Sequence, residues 1–148
     1  MANPRVPQGT LNRLRASIVW ADLPQLNVTP SFLGREAIRL APDGDQTTIL
    51  PTMTGTVTSP EPYQPLTMAV NLLKTQQLAQ LYQARSEFNT LLGDCTVRPD
   101  NATSGLGPFQ VLNCAITNFR ELNFGGEDAG YLVTIRGFQL LNSSLWDF

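Results

Sequence analysis

The sequence predicts a mainly β protein of the α+β type, an antiparallel β-sandwich or barrel with one covering α-helix. Apolar and polar side chains alternate along several short segments bounded by glycine, proline and aspartate, which is typical of half-buried strands. A single segment has apolar residues at helical spacing. We expect six to eight strands, with the helix between the fifth and the sixth. The 148 residues suit one domain, 1–148, with a proline-rich arm over 1–13 and an apolar tail over 141–148.

The first half of the chain reads as strands separated by turns. Leu14–Trp20 alternates strictly and predicts the first strand. Residues 26–33 and 35–40 are expected to be extended. Residues 41–46 contain Asp-Gly and predict a turn, after which Thr47–Pro51 is expected to be a strand again.

A row of threonines follows this segment. Threonines alternate with Met53, Gly55, Val57 and Ser59, and β-branched threonine favours strands, so we predict a strand with one polar, uncharged face formed by Thr52, Thr54, Thr56 and Thr58. Two interpretations of this face stay open. It is either an ordinary solvent-facing sheet surface or a surface lining an enclosed, wet space.

The second half contains the helix. Leu66–Leu72 alternates and predicts a strand, after which apolar residues at three- and four-residue steps predict a helix from about Lys74 to residue 91, ending near Gly93. Its stripe is expected to cover the sheet rather than to form a groove for a partner. The stripe consists of Leu78, Leu81, Tyr82, Arg85 and Phe88.

Three further strands are predicted after the helix. They are 94–98, Phe109–Phe124 and Tyr131–Leu140, the last two joined by a hairpin connection over 125–130. Val111, Ala115 and Phe119 share one face of the middle strand, while Leu112, Cys114 and Ile116 share the other. This strand is therefore expected to be buried on both faces.

Composition excludes several classes of protein. The chain is 42% hydrophobic and 15% charged, with a net charge of −2 and Lys74 as its one lysine. Disorder requires the opposite balance, and nucleic-acid binding requires clustered cations. No apolar run approaches the ~20 residues that a spanning helix needs, and the N-terminal residues lack the apolar segment of a secretory signal. Low charge is also typical of subunits that are covered by partners.

Catalytic chemistry has little support. Histidine is absent, which removes the commonest general base and metal ligand. The carboxylate pairs Asp43/Asp45 and Glu127/Asp128 flank glycines in turn sequences. Cys95 and Cys114 match no zinc pattern; two buried thiols are favoured, with a cross-strand disulfide as the alternative. We therefore expect a protein that is not an enzyme and has no metal or cofactor.

The order and size of these segments resemble one known family. A short arm leads to Leu14–Trp20 and then to a long hairpin centred on Asp43-Gly44-Asp45; Leu66–Leu73 runs directly into the helix, and Asn113–Leu140 closes the chain as a hairpin turning at Gly125-Gly126. The stretches 69–73 and 131–137 are also similar to sequences of this family. Together they resemble the tail tube proteins of contractile-tailed bacteriophages, which share a fold with type VI secretion tube proteins.

The resemblance implies a structural virion protein. It implies hexameric rings stacked head-to-tail into a hollow tube inside a contractile sheath, assembled in the host bacterial cytoplasm. The partners implied are further copies of the chain, the sheath, tape-measure, baseplate and tail terminator proteins, and DNA that passes without specific binding; no membrane is implied.

Two sites follow as hypotheses from this resemblance. The polar hairpin tip is expected to contact the next ring through Pro42, Asp43, Gly44, Asp45, Gln46 and Thr47. The threonine face, or its neighbours, is expected to look into the bore through Thr52, Thr54, Thr56 and Thr58. The alternatives are a type VI-like tube protein or a sandwich-type baseplate or virion binding module that forms no rings.

Overall fold

A computed structural model describes residues 5–7, 15–99, 107–119, 127 and 129–145. Within these ranges the chain forms one α-helix, α1 (Gln77–Phe88), and the predicted mainly β class is confirmed. The helix lies between the fifth and sixth strands, as expected. The strands are β1 (Ala16–Trp20), β2 (Leu33–Pro42), β3 (Thr47–Pro51), β4 (Thr56–Pro60), β5 (Tyr63–Leu73), β6 (Leu91–Pro99), β7 (Phe109–Phe119) and β8 (Gly130–Leu140).

Six of the strands form one curled antiparallel sheet, a half-barrel, in the order β1-β6-β7-β8-β5-β2. β5 and β8 pair along their whole length, from Tyr63 opposite Leu140 to Leu73 opposite Gly130. β3 and β4 pair only with each other and form a separate two-stranded sheet. The expected arm over 1–13 falls outside the described residues except for 5–7, and the tail is described as far as Leu145.

One face of the curled sheet is apolar because each strand alternates. Along β5 every second residue from Gln64 to Leu72 is buried, and the residues between them are exposed or half-buried. The same alternation in β8 buries Val133 and Ile135 opposite Val70 and Met68. These side chains form a single core with those of α1 and of the segment after β1. Its largest fully buried members include Tyr82, Ile18, Leu26, Met68, Leu72 and Leu92.

The burial predicted on both faces of β7 is wrong, and a backbone irregularity explains the misleading pattern. Asn113 has a positive φ of 55° at a register shift in the pairing with β8. The extra residue brings Val111, Cys114 and Ile116 to the same buried face. Their spacing of three and two residues imitates a strand that is apolar on both sides. The last predicted residues of this strand, 120–124, lie outside the described part of the chain.

Two other predictions from the sequence are corrected. The segment 26–33, predicted to be extended, begins at the end of one 3₁₀ turn, Pro24–Leu26, and contains a second, Pro30–Phe32, each with its proline at the first position. The helix is also shorter than predicted. Leu78, Ala79 and Tyr82 are its buried residues, whereas Leu81 and Phe88 are exposed.

A buried hydrogen-bond chain anchors the helix to the sheet. The Trp20 indole N–H donates to the Tyr82 hydroxyl at 3.0 Å, and that hydroxyl donates to the Leu26 carbonyl at 2.8 Å. All three groups are shielded from water, and burial raises the pKa of Tyr82 above its ordinary value. The chain therefore joins β1, α1 and the first 3₁₀ turn through groups that have no solvent to replace a lost partner.

The two cysteines are buried free thiols on the neighbouring strands β6 and β7. Their sulfur atoms lie 3.8 Å apart, and the pKa of Cys114 is raised by its hydrogen bond with Cys95 and by burial. The predicted role as small core residues is confirmed for this reduced state.

Tyr82→Phe tests the anchor. The change leaves the Trp20 indole N–H and the Leu26 carbonyl buried without their partner, so we expect a loss of about 1–3 kcal/mol in the free energy of unfolding. Urea unfolding followed by Trp fluorescence measures it. Tyr63→Phe is the control, because Tyr63 is exposed, and its midpoint should match the unmodified protein. Equal midpoints for both variants would contradict the anchoring role.

Candidate assembly surface

The half-barrel has two different ends, which the strand registers define. We call the "helix end" the one where Leu33, Leu73, Leu91, Phe119 and Gly130 lie, next to α1. We call the other the "open end", where the strands begin or finish at Ala16, Pro42, Tyr63, Pro99, Phe109 and Leu140.

A cavity of about 400 Å³ lies at the open end of the half-barrel. Its walls come from the ends of β1, β2, β5, β6, β7 and β8, so it continues the apolar face of the sheet towards the opening. Gln64 lines it and is nearly fully buried, but its amide is already satisfied within the chain. The apolar side chains in its wall include Ile38, Leu40, Leu66, Val97 and Phe109.

The strands β3 and β4 form a hairpin rooted at the open end, and they pair with no other described strand. Its turn is Thr52–Gly55, where the Thr52 amide donates to the Gly55 carbonyl at 2.7 Å and the Gly55 amide donates to the Thr52 hydroxyl at 3.0 Å. The predicted hairpin centre at Asp43-Gly44-Asp45 is therefore wrong. The chain bends there, but β2 pairs with β5 and β3 pairs with β4.

Because the turn lies at Thr52–Gly55, the four threonines do not share one strand. Thr52 and Thr54 lie in the turn, and Thr56 and Thr58 lie on β4 opposite Pro51 and Ile49. The continuous strand predicted through Thr52–Ser59 is wrong, because its first part is the turn of the hairpin. All four threonines are exposed. Whether they face a bore stays a prediction.

The residues predicted to contact the next ring form the base of the hairpin instead of its tip. Asp43 accepts hydrogen bonds from the Thr67 hydroxyl at 2.6 Å and from the Arg136 guanidinium at 2.9 Å. These bonds tie the end of β2 to β5 and β8. The Thr67 hydrogen bond is the largest effect on Asp43, and together with the Arg136 bond and charge it lowers the pKa of this carboxyl.

A second set of hydrogen bonds fixes the exit of the hairpin. The Gln64 amide donates to the Gly44 carbonyl at 3.0 Å and accepts from Gln46 at 3.1 Å. Gly44 has a φ of +86°, which glycine adopts without strain. On the returning side, the Asn142 amide donates to the Glu61 carbonyl. Pro42, Asp45 and Thr47 complete the predicted set and are exposed at this base; their contact with a neighbouring ring stays a prediction.

Above this base the hairpin is exposed and uncharged. Residues 46–60 contain no Asp, Glu, Lys or Arg. The large apolar side chains Ile49, Leu50, Met53 and Val57 all face solvent, and Met53 at the turn is fully exposed, at 101%. Natural exposed edge strands are usually protected by charge or covered by another element. We call these four side chains the "hairpin tip".

The helix end has an exposed apolar cluster of its own. Leu81 and Phe88 are exposed on α1, about two helical turns apart, and Leu91 is exposed at the start of β6. The Arg85 guanidinium donates to the Leu91 carbonyl at 2.8 Å and lies 5.9 Å from the centre of the Phe88 ring. Arg85 therefore contacts both the Phe88 ring and the backbone of Leu91. We call Leu81, Phe88 and Leu91 the "helix-end patch".

The sequence pattern does not predict either apolar surface, for identifiable reasons. Leu81 and Phe88 have the helical spacing that predicts a stripe covering the sheet. Val57 alternates with threonines as a half-buried strand residue does, and Ile49 and Leu50 lie in a segment predicted to be a strand. The usable signal was the absence of charge over 46–60, since a solvent-exposed hairpin of that length normally carries some.

Comparison with protein-family models and with curated proteins returns no match. The described residues contain no helix that is long and apolar enough to cross a membrane. They also contain no group of three or more Cys, Asp or Glu side chains placed to hold a metal ion.

The carboxylate at the hairpin base predicts a pH dependence. A carboxyl whose pKa is lowered in the folded state stabilises that state above its unfolded pKa of about 3.9, and the contribution is lost as the pH falls towards the folded value. Urea unfolding is measured at steps of about half a pH unit. Between pH 5 and pH 3 we expect the free energy of unfolding of Asp43→Asn to fall less than that of the unmodified protein. Asp45→Asn, an exposed neighbour, should keep the original profile. Identical profiles for all three proteins would contradict the role of Asp43.

Proposed function

We propose that this chain is a structural subunit whose hexameric rings stack head-to-tail into the hollow inner tube of a contractile bacteriophage tail. Its work is assembly and the passage of DNA, and it performs no chemistry. The proposal joins the resemblance in segment order to a feature of the folded chain that the resemblance did not specify, the placement of its exposed apolar side chains.

That placement is the observation on which the proposal depends. Large exposed apolar side chains concentrate at the two ends of the half-barrel. The open end has the hairpin tip together with Tyr63, Phe109 and Leu140, and the helix end has Leu81, Phe88 and Leu91. Surfaces of this kind usually mark contacts with other proteins. Two different surfaces at opposite ends suit a heterologous contact, which repeats as a stack instead of closing as a dimer.

The sheet edge supports contacts within a ring. β2 is the last strand of the sheet, and no described strand pairs with its outer side. The opposite edge, β1, is partly covered, because Ile18 exchanges two backbone hydrogen bonds with Val28. An edge strand offers unpaired backbone groups to a neighbouring chain. In the proposed ring, β2 joins the sheet of the adjacent copy.

The outer face of the sheet is suited to a surface along which DNA slides. Around Thr67, Ala69, Asn71 and Thr134 it is small, polar and mostly uncharged. The charges beside it form two ion pairs, Glu36 with Arg39 at 3.8 Å and Asp43 with Arg136 at 2.9 Å, so each cation is next to a carboxylate. Phosphate binds clustered cations and releases their counterions. A surface without such a cluster does not retain the DNA.

Electron microscopy of the purified protein tests this proposal, together with a variant that lacks the hairpin. Residues 48–59 are replaced by Asn-Gly, which joins the paired positions Thr47 and Pro60 through a two-residue turn. We expect the unmodified protein to form rings or tubes with a central hole. The variant should melt cooperatively and remain unassembled, because its ring-to-ring contact is gone.

Thr54→Ser is the control, since it keeps the hairpin length and its polarity, and it should assemble normally. An unmodified protein that stays monomeric at high concentration would contradict the proposed function. Tubes of normal length from the shortened variant would show that the hairpin is not a stacking element.

A further inference from the structure

We propose that the hairpin tip of one copy docks on the helix-end patch of the next copy, with the Met53 side chain against the Phe88 ring. This inference rests on the proposed function and deepens it by naming both surfaces of the ring-to-ring contact. Neither surface was identified from the sequence, and the residues first expected to make this contact lie at the hairpin base.

The hairpin tip has the chemistry of a docking element. Its side chains are exposed, apolar and uncharged, and Met53 stands at the most distant point of the turn. Methionine is unbranched and polarizable, so it adapts to an apolar surface and makes favourable contacts with aromatic rings. A two-stranded hairpin is at best marginally stable in water unless it packs against something.

The helix-end patch has the chemistry of a receptor. The Phe88 side chain is 82% exposed and Leu91 is 64% exposed, which is unusual for neighbouring large apolar residues. Arg85 contacts both parts of the patch, because its guanidinium bonds the Leu91 carbonyl and lies 5.9 Å from the centre of the Phe88 ring. Such a contact restricts the Phe88 ring in the free subunit and so reduces the conformational entropy lost on binding.

The positions of the two surfaces select a second copy as the occupant. The hairpin leaves the sheet at the open end, and the patch lies at the helix end. Both are exposed within the folded chain, so neither covers the other. Contact between them requires two molecules, and each molecule then keeps one free surface for a further neighbour. The contact therefore repeats without closing.

A different arrangement would pair open ends. The hairpin of one copy would then enter the cavity of about 400 Å³ at the open end of a facing copy. Such a contact is reciprocal and stops at a dimer. It leaves Phe88 and Leu91 exposed and builds no tube, so the head-to-tail contact accounts for more of the exposed apolar surface.

Disulfide cross-linking tests the contact in the full chain. The double variant Met53→Cys/Phe88→Cys places one thiol on each surface, whereas Cys95 and Cys114 are buried, at 2% and 1% exposure. After mild oxidation by diamide, we expect a ladder of covalent multimers on non-reducing gels and a linked 53–88 peptide by mass spectrometry. Each single variant should give no ladder beyond a dimer.

Met53→Cys/Val19→Cys is the matched control. Val19 is an exposed apolar residue on β1, opposite Thr96, and it is not part of the helix-end patch. This variant should give no ladder. Both substituted positions of the test variant are exposed, so folding is preserved, and the far-ultraviolet spectrum confirms it for each protein.

Microscopy of the same samples separates this inference from the proposed function. A ladder with tubes supports both, and a ladder with only open filaments supports the contact while excluding hexameric rings. Tubes without a 53–88 peptide would overturn the contact and leave the tube function standing. Dimers linked 53–53 in place of a ladder would favour the open-end pairing and overturn the contact. Monomers without any cross-link would overturn both.

Discussion

The incomplete closure of the curled sheet is the constraint on which the rest of the structure depends. Six antiparallel strands bury one continuous apolar face, but β1 and β2 end the sheet without pairing with each other. The helix covers this face near one end, anchored by the buried Trp20–Tyr82–Leu26 hydrogen bonds. At the other end a cavity and an uncharged hairpin are left to solvent. The subunit therefore has a complete core but keeps exposed apolar surface, which other molecules can cover.

The contacts at the hairpin base fix where the exposed hairpin leaves the sheet. Asp43 joins the end of β2 to Thr67 and Arg136, and Gln64 holds Gly44 at the bend. Because these contacts lie in the sheet itself, the hairpin leaves the open end from a fixed root. At the helix end, the Arg85 guanidinium bonds the Leu91 carbonyl and lies beside the Phe88 ring. The root of the hairpin and the helix-end patch are thus positioned before assembly, which limits the entropy lost on binding, whereas the strands above the root become stable only against a neighbouring copy.

Local sequence patterns predicted the fold class. The position of the turn and the bulge in β7 depend on which strands pair, and local patterns do not contain that information. Period-two alternation identified β1, β5 and β8, because their inward side chains meet one core. The turn was misplaced because Asp43-Gly44-Asp45 has a stronger turn sequence than Thr52–Gly55, and only the pairing of β2 with β5 excludes a hairpin there. The bulge at Asn113 made β7 appear buried on both faces. The apolar patches were missed because spacing cannot distinguish a buried residue from one that another copy covers.

Amide hydrogen exchange along β3 and β4 tests the central claim most directly, that this hairpin depends on a neighbouring copy. We predict that its amides exchange at nearly unprotected rates in dilute, monomeric protein, while those of β5 and β8 are protected. In concentrated, assembled protein the hairpin amides should become protected as well. Full protection of β3 and β4 in the dilute monomer would contradict the account, because the hairpin would then be stable without any partner.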